Sequence, residues 1–394
     1  MYAAPWMTSE HHAYADMVAA FLKAEAVPRF ESWRSEGKVD RAFWKAAGEL
    51  GILGASVPEA FGGSGAPRSF DAITQYSQSR LGDSSWGFAL HNYVTHYLLS
   101  YGTEEQKARF MPDMCRGDCI SALAITEPGT GSDVQSIKTF AQRTDDGWLL
   151  NGAKTFISNG QTADLVIICA QTEKAAGAQG VGLFLAPVAD LPGFKRGRCL
   201  RKIGLKGQDT SELFFEDMLL PADALLGMET GRGFSQLMHQ LAWERLCVAI
   251  ISLGAIDYAL AETVNYVHER KAFGKSLFEF QNTRMKLAEA KTKAEMLRTF
   301  LDRCVADVDH QRLTAEAASM AKWWGSQTQC EVVDECLQLF GGYGYMLEYP
   351  IAHLYTDARV QKIYGGSNEI MKELIARSLT PGRDGQPATG ADDD

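Results

Sequence analysis

The sequence predicts an α+β fold that is mainly helical, with a small β-barrel or sandwich domain between two helical domains. Apolar residues recur at helical spacing over about the first 120 of 394 residues, and this spacing returns from about residue 234 to 379. Short segments rich in β-forming residues lie between them. We therefore divide the chain into an N-terminal α-helical domain (1–120), a middle β domain (121–230), a C-terminal four-helix-bundle domain (231–380) and a disordered tail (381–394).

The first domain shows helical patterning at both of its ends. Ala13, Met17, Phe21 and Ala24 are spaced three or four residues apart. At 103–106, Thr-Glu-Glu-Gln is a capping box, in which the two polar side chains satisfy backbone N–H groups of the first turn. It predicts that a helix begins there.

The middle domain should consist of short strands and tight turns. Runs of β-branched and aromatic residues predict strands at 166–169, 181–185 and 213–215. Asp145-Asp-Gly147 and Asn151-Gly152 are typical of hairpin turns. Residues 148–158 are therefore expected to form a strand, a turn and a second strand.

Long helices are predicted in the last domain at about 234–268, 281–309 and 312–340, followed by two shorter ones. On the first of them, Leu237, Val248 and Ile251 belong to an apolar stripe that also includes Glu244. A carboxyl on a buried face loses hydration, which raises its pKa toward the range of a general base at neutral pH. The alternative is a buried Glu244 neutralised by Arg245 or another cation.

Composition and charge exclude several classes of protein. Hydrophobic residues make up 46% and charged residues 22%, as in an ordinary folded chain, and the net charge of -10 disfavours nucleic-acid binding. No stretch reaches the roughly 18 apolar residues of a membrane span, and the N-terminal residues do not resemble a secretory signal. The eight cysteines are scattered without a C-x-x-C pair, which favours reduced thiols and a cytoplasmic location.

Common catalytic motifs are absent from the sequence. It contains no G-x-G-x-x-G, P-loop, H-E-x-x-H or G-x-S-x-G motif, and its eight histidines show no metal-ligand spacing. We therefore expect no metal centre, no triad hydrolase and no ordinary Rossmann unit.

Four other segments could bind a ligand, but each could equally have a purely structural role. The loop 124–133 contains Thr-Glu-Pro-Gly-Thr-Gly-Ser, whose glycines can admit a flat ligand or simply form turns. The aromatic and Ser of 156–159 can bind a planar ring or pack in the core. The basic turn 270–275 can hold phosphate or stay solvated. Paired glycines at 341–342 and 365–366 allow a ligand or another segment to approach the backbone closely.

In this order, the segments resemble the acyl-CoA dehydrogenase family over about residues 20–380. The motifs are Ala-Ile-Thr-Glu-Pro-Gly-Thr-Gly-Ser-Asp, Asn-Gly-Ala-Lys-Thr-Phe-Ile-Ser-Asn-Gly, Glu-Arg-Lys-Ala-Phe-Gly-Lys and Gly-Gly-Tyr-Gly-Tyr. The C-terminal Ile-Tyr-Gly-Gly-Ser-Asn-Glu-Ile-Met-Lys-Glu-Leu-Ile-Ala-Arg is most similar to the long-chain acyl-CoA dehydrogenases.

The resemblance implies FAD bound between the β domain and the C-terminal helices of two subunits of a homotetramer. It implies α,β-dehydrogenation of a medium-chain, long-chain or branched acyl-CoA to the trans-2-enoyl-CoA in fatty acid β-oxidation. Flavin N5 takes the β-hydride, and an electron-transferring flavoprotein accepts the electrons. An acyl-CoA oxidase, a carrier-protein-linked acyl dehydrogenase or a flavin monooxygenase on the same fold is an alternative, as is a catalytically silent binding protein.

Site residues carry over one by one from the resemblance. Ile125, Thr126, Phe156 and Ser158 are expected to contact the flavin ring, with Ser132 near the flavin or the thioester. The other implied cofactor-binding positions are Arg270, Phe273, Gln281, Gln338, Gly342, Ser367 and Glu369.

One position departs from the common family pattern. Many members carry the catalytic Glu where this chain has Gly365. Long-chain and isovaleryl-type members instead have a Glu-Arg pair on the long helix, which Glu244 and Arg245 match. The resemblance thus implies Glu244 as the base, with the Gly366 N–H as a donor to the developing enolate oxygen. The implied substrate-binding positions are Ser132, Arg245, Tyr364 and Gly365.

Overall fold

The N-terminal helices pack around an aromatic core that includes the fully buried Trp33, Phe43 and Trp44. The computed structural model describes residues 4–379, so the tail predicted at 381–394 lies outside the described residues. Thr103 and Gln106 form the predicted capping box. The helices are α1 (Ser9–Phe21), α2 (Phe30–Glu36), α3 (Arg41–Glu49), α4 (Arg68–Ser79), α5 (Phe88–Tyr101) and α6 (Glu104–Arg116).

A seven-stranded sheet forms the middle domain as a half-barrel. The strands are β1 (Ser121–Ala124), β2 (Phe140–Thr144), β3 (Gly147–Ser158), β4 (Leu165–Gln171), β5 (Val181–Pro187), β6 (Phe194–Cys199) and β7 (Thr210–Leu220). Their order is β1-β4-β2-β3-β7-β6, with β5 also paired to β4. The β1–β4 pairing is parallel, whereas β2–β3, β3–β7, β4–β5 and β6–β7 are antiparallel.

One of the two predicted hairpin turns is wrong. Asp145 and Asp146 do connect β2 to β3, whose pairing ends at Thr144 and Gly147. Asn151 and Gly152, however, lie inside the continuous strand β3, at a register shift against β7. A Cβ on Gly152 would lie 2.5 Å from Thr139 Oγ1. Glycine is needed here for close approach of a neighbouring segment rather than for a turn.

The C-terminal domain is built on three long helices. These are α7 (Gly233–Glu269), α8 (Gln281–Asp309) and α9 (Ala315–Phe340), followed by α10 (Pro350–Gln361) and α11 (Asn368–Ser378). A short hairpin of β8 (Lys271–Ala272) and β9 (Lys275–Ser276) joins α7 to α8. Helices α10 and α11 both pack on α9.

Helix α7 is the element at which the domains meet. It packs against α8 and α9, and also against α4, α5 and strand β5. A Cβ on Gly254 would lie 2.0 Å from Ser79 Oγ, so α7 and α4 are in close contact there. By length and composition α7 could cross a bilayer, but 67% of its most apolar window is buried inside the protein. Its apolar character therefore fits a core helix.

Candidate functional site

A cavity of ≈ 170 Å³ lies between α5, α7, the ends of β1 and β3, and the loop between α10 and α11. Its wall is largely apolar and includes Ala89, Leu90, Val248 and Ile251. It also brings together seven residues that the sequence singled out: Ile125, Thr126, Phe156, Ser158, Glu244, Tyr364 and Gly365.

Glu244 is a buried acid on this wall. The residue is only 7% exposed, and the Tyr97 hydroxyl on α5 donates a hydrogen bond to Glu244 Oε1 at 2.9 Å. Burial raises the pKa of Glu244 to about 7, while the Tyr97 hydrogen bond and the charge of Arg245 act in the opposite direction. A carboxyl that titrates near neutral pH is suited to accept and release a proton.

Arg245 follows Glu244 in the chain but lies against a different helix. Successive α-helical side chains are about 100° apart, and Arg245 Nη1 approaches Ser319 Oγ on α9 at 3.5 Å. Within the part of the chain that the structure describes, no ion pair joins Arg245 to Glu244. The alternative in which Arg245 neutralises Glu244 by direct pairing therefore has no geometric support.

The loop between α10 and α11 brings Gly365 to the cavity. Gly365 and Gly366 have φ values of 63° and 88°, which L side chains rarely adopt. A Cβ on Gly365 would lie 3.6 Å from Val248 Cγ2, one turn beyond Glu244 on α7. A side chain at position 365 would thus project toward the face of α7 that carries Glu244.

A buried lysine, which sequence reasoning missed, holds this loop. Lys322 on α9 is fully buried, and its Nζ donates to the Gly366 carbonyl oxygen at 2.6 Å and to Asn368 Oδ1 at 3.1 Å. Burial and the nearby Arg245 lower the pKa of Lys322 to about 8. The position of Lys322 among apolar residues on the inward face of a core helix is the sequence pattern that could have predicted its burial.

A second buried lysine holds the segment after β1. Lys154 on β3 forms an ion pair with Glu127 at 2.9 Å, and its Nζ also donates to the Ile125 carbonyl oxygen at 2.8 Å. Glu127 in turn accepts from two backbone N–H groups, at 2.6 and 2.9 Å. We refer to Lys154 and Glu127 as the β1–β3 clamp. Sequence reasoning missed it, although Lys154 shares the strand parity of the buried residues Trp148 and Leu150.

Phe156 presents an open aromatic face at the end of β3. It has a φ of 60° and is 66% exposed, beside a register shift between Lys154 and Ile157. The unusual backbone turns the ring outward instead of into the core. Ser158 follows at the last position of the strand.

Five predicted cofactor residues lie outside the cavity, around the hairpin after α7. Arg270 and the 95%-exposed Phe273 belong to this hairpin region, and Gln281 begins α8. The Arg270 guanidinium lies 5.6 Å from the centre of the Tyr343 ring, which links the hairpin to the end of α9. The residues of this hairpin cluster are Arg270, Phe273, Gln281, Gln338 and Gly342.

The last three predicted positions lie at loop and helix ends. Ser132 is exposed in the loop after β1. Ser367 caps α11, with its Oγ accepting from the Ile370 N–H at 3.4 Å, and Glu369 is exposed in the first turn of that helix. None of the three lines the cavity in the part of the chain that the structure describes.

Comparison with known proteins identifies the architecture. Family models described as the acyl-CoA dehydrogenase N-terminal, middle and C-terminal domains match residues 8–118, 122–218 and 231–380. The long-chain specific acyl-CoA dehydrogenase, mitochondrial, of Mus musculus is 47% identical over 375 residues, which cover 94% of this chain and 87% of the relative.

Solved structures agree with these matches. An acyl-CoA dehydrogenase from Geobacillus kaustophilus matches with a TM-score of 0.93 at 43% identity, over 96% of this chain and 100% of that chain. A glutaryl-CoA dehydrogenase from Mycobacterium smegmatis in complex with FADH2 matches with a TM-score of 0.88 at 28% identity, over 97% and 96%. The chain therefore belongs to the acyl-CoA dehydrogenase family, which consists of oxidoreductases that bind FAD.

Proposed function

We propose that this protein dehydrogenates an acyl-CoA to its trans-2-enoyl-CoA, with Glu244 as the base that takes the α-proton. The observation that carries the proposal is a buried carboxyl, with a pKa of about 7, on the wall of a largely apolar cavity. Among the described residues that line this cavity, Glu244 is the sole carboxyl. Gly365 offers no side chain that could replace it.

The residues around the cavity fit a flavin. A flavin ring is planar and carries hydrogen-bonding atoms along one edge, so it needs an open aromatic or aliphatic face and nearby polar groups. Phe156 and Ile125 supply the first, and Thr126 and Ser158 the second. We propose that the hairpin cluster, Ser132, Ser367 and Glu369 hold the rest of the cofactor. Bound FAD supplies the acceptor for the β-hydride.

The proposed proton transfer depends on three parts of the wall. Glu244 takes the α-proton, and the apolar side chains Val248 and Ile251 keep water away from its carboxylate. Negative charge then develops on the thioester oxygen, where the Gly366 N–H donates a hydrogen bond. Lys322 keeps the Gly366 loop in place through its carbonyl oxygen.

The substrate is proposed to be a medium-chain, long-chain or branched acyl-CoA. The mouse relative is named for long chains, and the cavity wall is mainly apolar. Tyr364 and Gly365 are proposed to contact the acyl group near the reacting carbons. Ser132 and Arg245 stay proposed substrate positions, although neither lines the cavity of this single chain.

Partners and location are proposed from the family resemblance and from the state of the cysteines. We propose an electron-transferring flavoprotein as electron acceptor and a homotetramer as the assembly, both from the family resemblance. All eight cysteines are free thiols, which fits the proposed cytoplasmic location. The mouse relative is named as mitochondrial.

The test is anaerobic bleaching of the bound flavin by acyl-CoA thioesters of graded length and branching. Glu244→Gln should keep its flavin and lose bleaching by a factor of about 10²–10⁴, the usual contribution of a general base. Glu289→Gln, at an exposed position on α8, is the control and should bleach like the unmodified protein. Full bleaching by Glu244→Gln would overturn the assignment, and rapid peroxide formation in air would favour an oxidase.

A further inference from the structure

Helix α5 contacts the proposed base at two points. The Tyr97 hydroxyl donates to Glu244 Oε1 at 2.9 Å, and the Tyr93 hydroxyl donates to the main-chain carbonyl oxygen of the same residue at 3.4 Å. Tyr97 is completely buried and Tyr93 is 7% exposed. Two tyrosines one helical turn apart therefore bind the side chain and the backbone of one residue that lies 147 positions away from Tyr97 in the chain.

We propose that Tyr97 is the positioning residue of the base: its hydroxyl fixes which carboxylate oxygen of Glu244 faces the substrate and favours the ionised form of that carboxylate. The inference rests on the proposed role of Glu244. Because Oε1 is engaged by Tyr97, and Oε2 accepts no hydrogen bond from the described residues, Oε2 is the oxygen assigned to take the α-proton.

The chemistry of the hydroxyl explains the second part of this role. A tyrosine O–H that donates to a carboxylate stabilises the charged form more than the neutral one. Burial and the charge of Glu244 raise the pKa of Tyr97 well above its usual value. Tyr97 therefore stays protonated, and remains a donor, at every pH at which Glu244 changes charge.

Few other groups around Glu244 change charge near neutral pH. Burial raises the pKa of Tyr93 and Cys247 well above their usual values, and that of Cys169 to about 11. It also raises the pKa of Tyr364, while Arg245 stays cationic. Lys322 and Asp357 have pKa values of about 8 and 7. The first interacts electrostatically with Arg245 and the second with Tyr364, so a control variant that leaves both unchanged is needed.

Tyr97→Phe and Tyr93→Phe provide a matched pair. Each removes one hydroxyl from α5, but only the first removes a hydrogen bond to the carboxylate. In the FAD-loaded enzyme, the acid limb of the flavin-reduction rate against pH should move up by about 1 unit in Tyr97→Phe, since one hydrogen bond to a charged group is lost. At pH 6 this is a loss of about tenfold. In Tyr93→Phe the acid limb should stay at the pH of the unmodified protein, whatever the maximal rate, because no hydrogen bond to the carboxylate is lost.

Two further measurements do not depend on turnover. Infrared titration should show a band of the protonated Glu244 carboxyl, identified by its absence in Glu244→Gln. In Tyr97→Phe the midpoint of the titration of this band should move upward by about 1 pH unit, as the acid limb does. Should Tyr97→Phe fail to fold, 3,5-difluorotyrosine at position 97 keeps the ring and hydroxyl but is a stronger donor. The acid limb should then move to lower pH.

The outcomes separate this inference from the function on which it rests. In the Glu244→Gln background, adding Tyr97→Phe should change the residual rate no further. A Tyr97→Phe profile and carboxyl band identical to those of Tyr93→Phe, with Glu244→Gln inactive, would overturn the role of Tyr97 alone. Flavin reduction by Glu244→Gln at the unmodified rate would overturn the base assignment itself.

Discussion

At the scale of single residues, the proposed chemistry depends on a carboxyl, that of Glu244, buried in a site that disfavours its charged form. Glu244 is buried, pairs with no cation within the described chain and has one hydrogen bond to its side chain, from Tyr97. Its folded pKa of about 7 lies above the unpaired value of 4.5. The folded protein therefore binds a proton that the unfolded chain has released, and stability falls as pH rises from about 4.5 to about 7.

Glu244→Gln should consequently stabilise the protein in a pH-dependent way. The gain should be small at pH 5 and reach on the order of 3 kcal/mol above pH 7, because the cost of ionising a buried acid disappears. Thermal unfolding midpoints at pH 5 and pH 8 measure it, with the exposed Glu289→Gln as control. An equal shift at both pH values would contradict a buried carboxyl that titrates near neutrality.

The burial of Glu244 could be predicted from sequence, because its position follows the apolar spacing of one helix. Tyr97, Lys154 and Lys322 could not, since each acts on a group that a different element supplies. Spacing within one element carries no information about such partners. The family motifs include the proposed flavin-facing residues but gave no sign of the buried side chains that hold their segments in place.

At the scale of elements, the β1–β3 clamp holds the segment after β1 that is proposed to face the flavin. Lys154 holds the Ile125 carbonyl oxygen and Glu127 at once, and the Thr155 N–H donates to the Thr126 carbonyl oxygen at 2.9 Å. The proposed flavin contacts thus depend on one ion pair that is almost fully buried.

Replacing Lys154 by Met should damage both stability and cofactor binding. Removing one partner of a buried pair typically costs about 3–5 kcal/mol, because the remaining charge is left uncompensated. Lys195→Met breaks the exposed 2.6 Å pair with Glu216 in the same sheet and should have little effect. Flavin content and unfolding temperature should fall in the first variant alone; similar values for both would argue against the clamp.

Prediction of helices and strands succeeded where apolar spacing continued over many turns. It failed at Asn151-Gly152, where the glycine is compatible with either a turn or a close contact. The long helices of the last domain follow from apolar spacing sustained over many turns, and their observed limits are close to those expected. Asn151-Gly152 matches a hairpin turn locally, yet Gly152 instead makes room for Thr139. Only the neighbouring segment distinguishes these roles.

At the scale of the whole molecule, most of the proposed cofactor residues fall into two separate groups, and Ser132, Ser367 and Glu369 belong to neither. One lines the cavity, and the other is the hairpin cluster, where Phe273 is 95% exposed and Arg270 lies over Tyr343. An exposed aromatic beside cations fits contact with a second subunit and its cofactor. This arrangement supports the proposed FAD site shared between subunits. From the sequence, only the family resemblance suggested such a site.

Phe273→Ala tests this division of the site. Because Phe273 is almost fully exposed, its removal should leave the folding of one chain intact. A shared site predicts lower FAD content and a smaller assembly, measured by flavin absorbance and light scattering against the 43.3 kDa chain mass. Leu50→Ser, at an exposed apolar position of the N-terminal domain, is the control. Unchanged FAD content and mass in Phe273→Ala would contradict a shared site.

The proposed role of Glu244 as the base is tested most directly by exchange of the α-protons of a bound acyl-CoA with deuterium oxide, followed by mass spectrometry. This exchange reports proton removal without requiring hydride transfer. With Glu244 as the base, the unmodified enzyme should introduce deuterium at C2, whereas Glu244→Gln carrying its full complement of FAD should give only the uncatalysed amount. Exchange by Glu244→Gln at the unmodified rate would contradict Glu244 as the base.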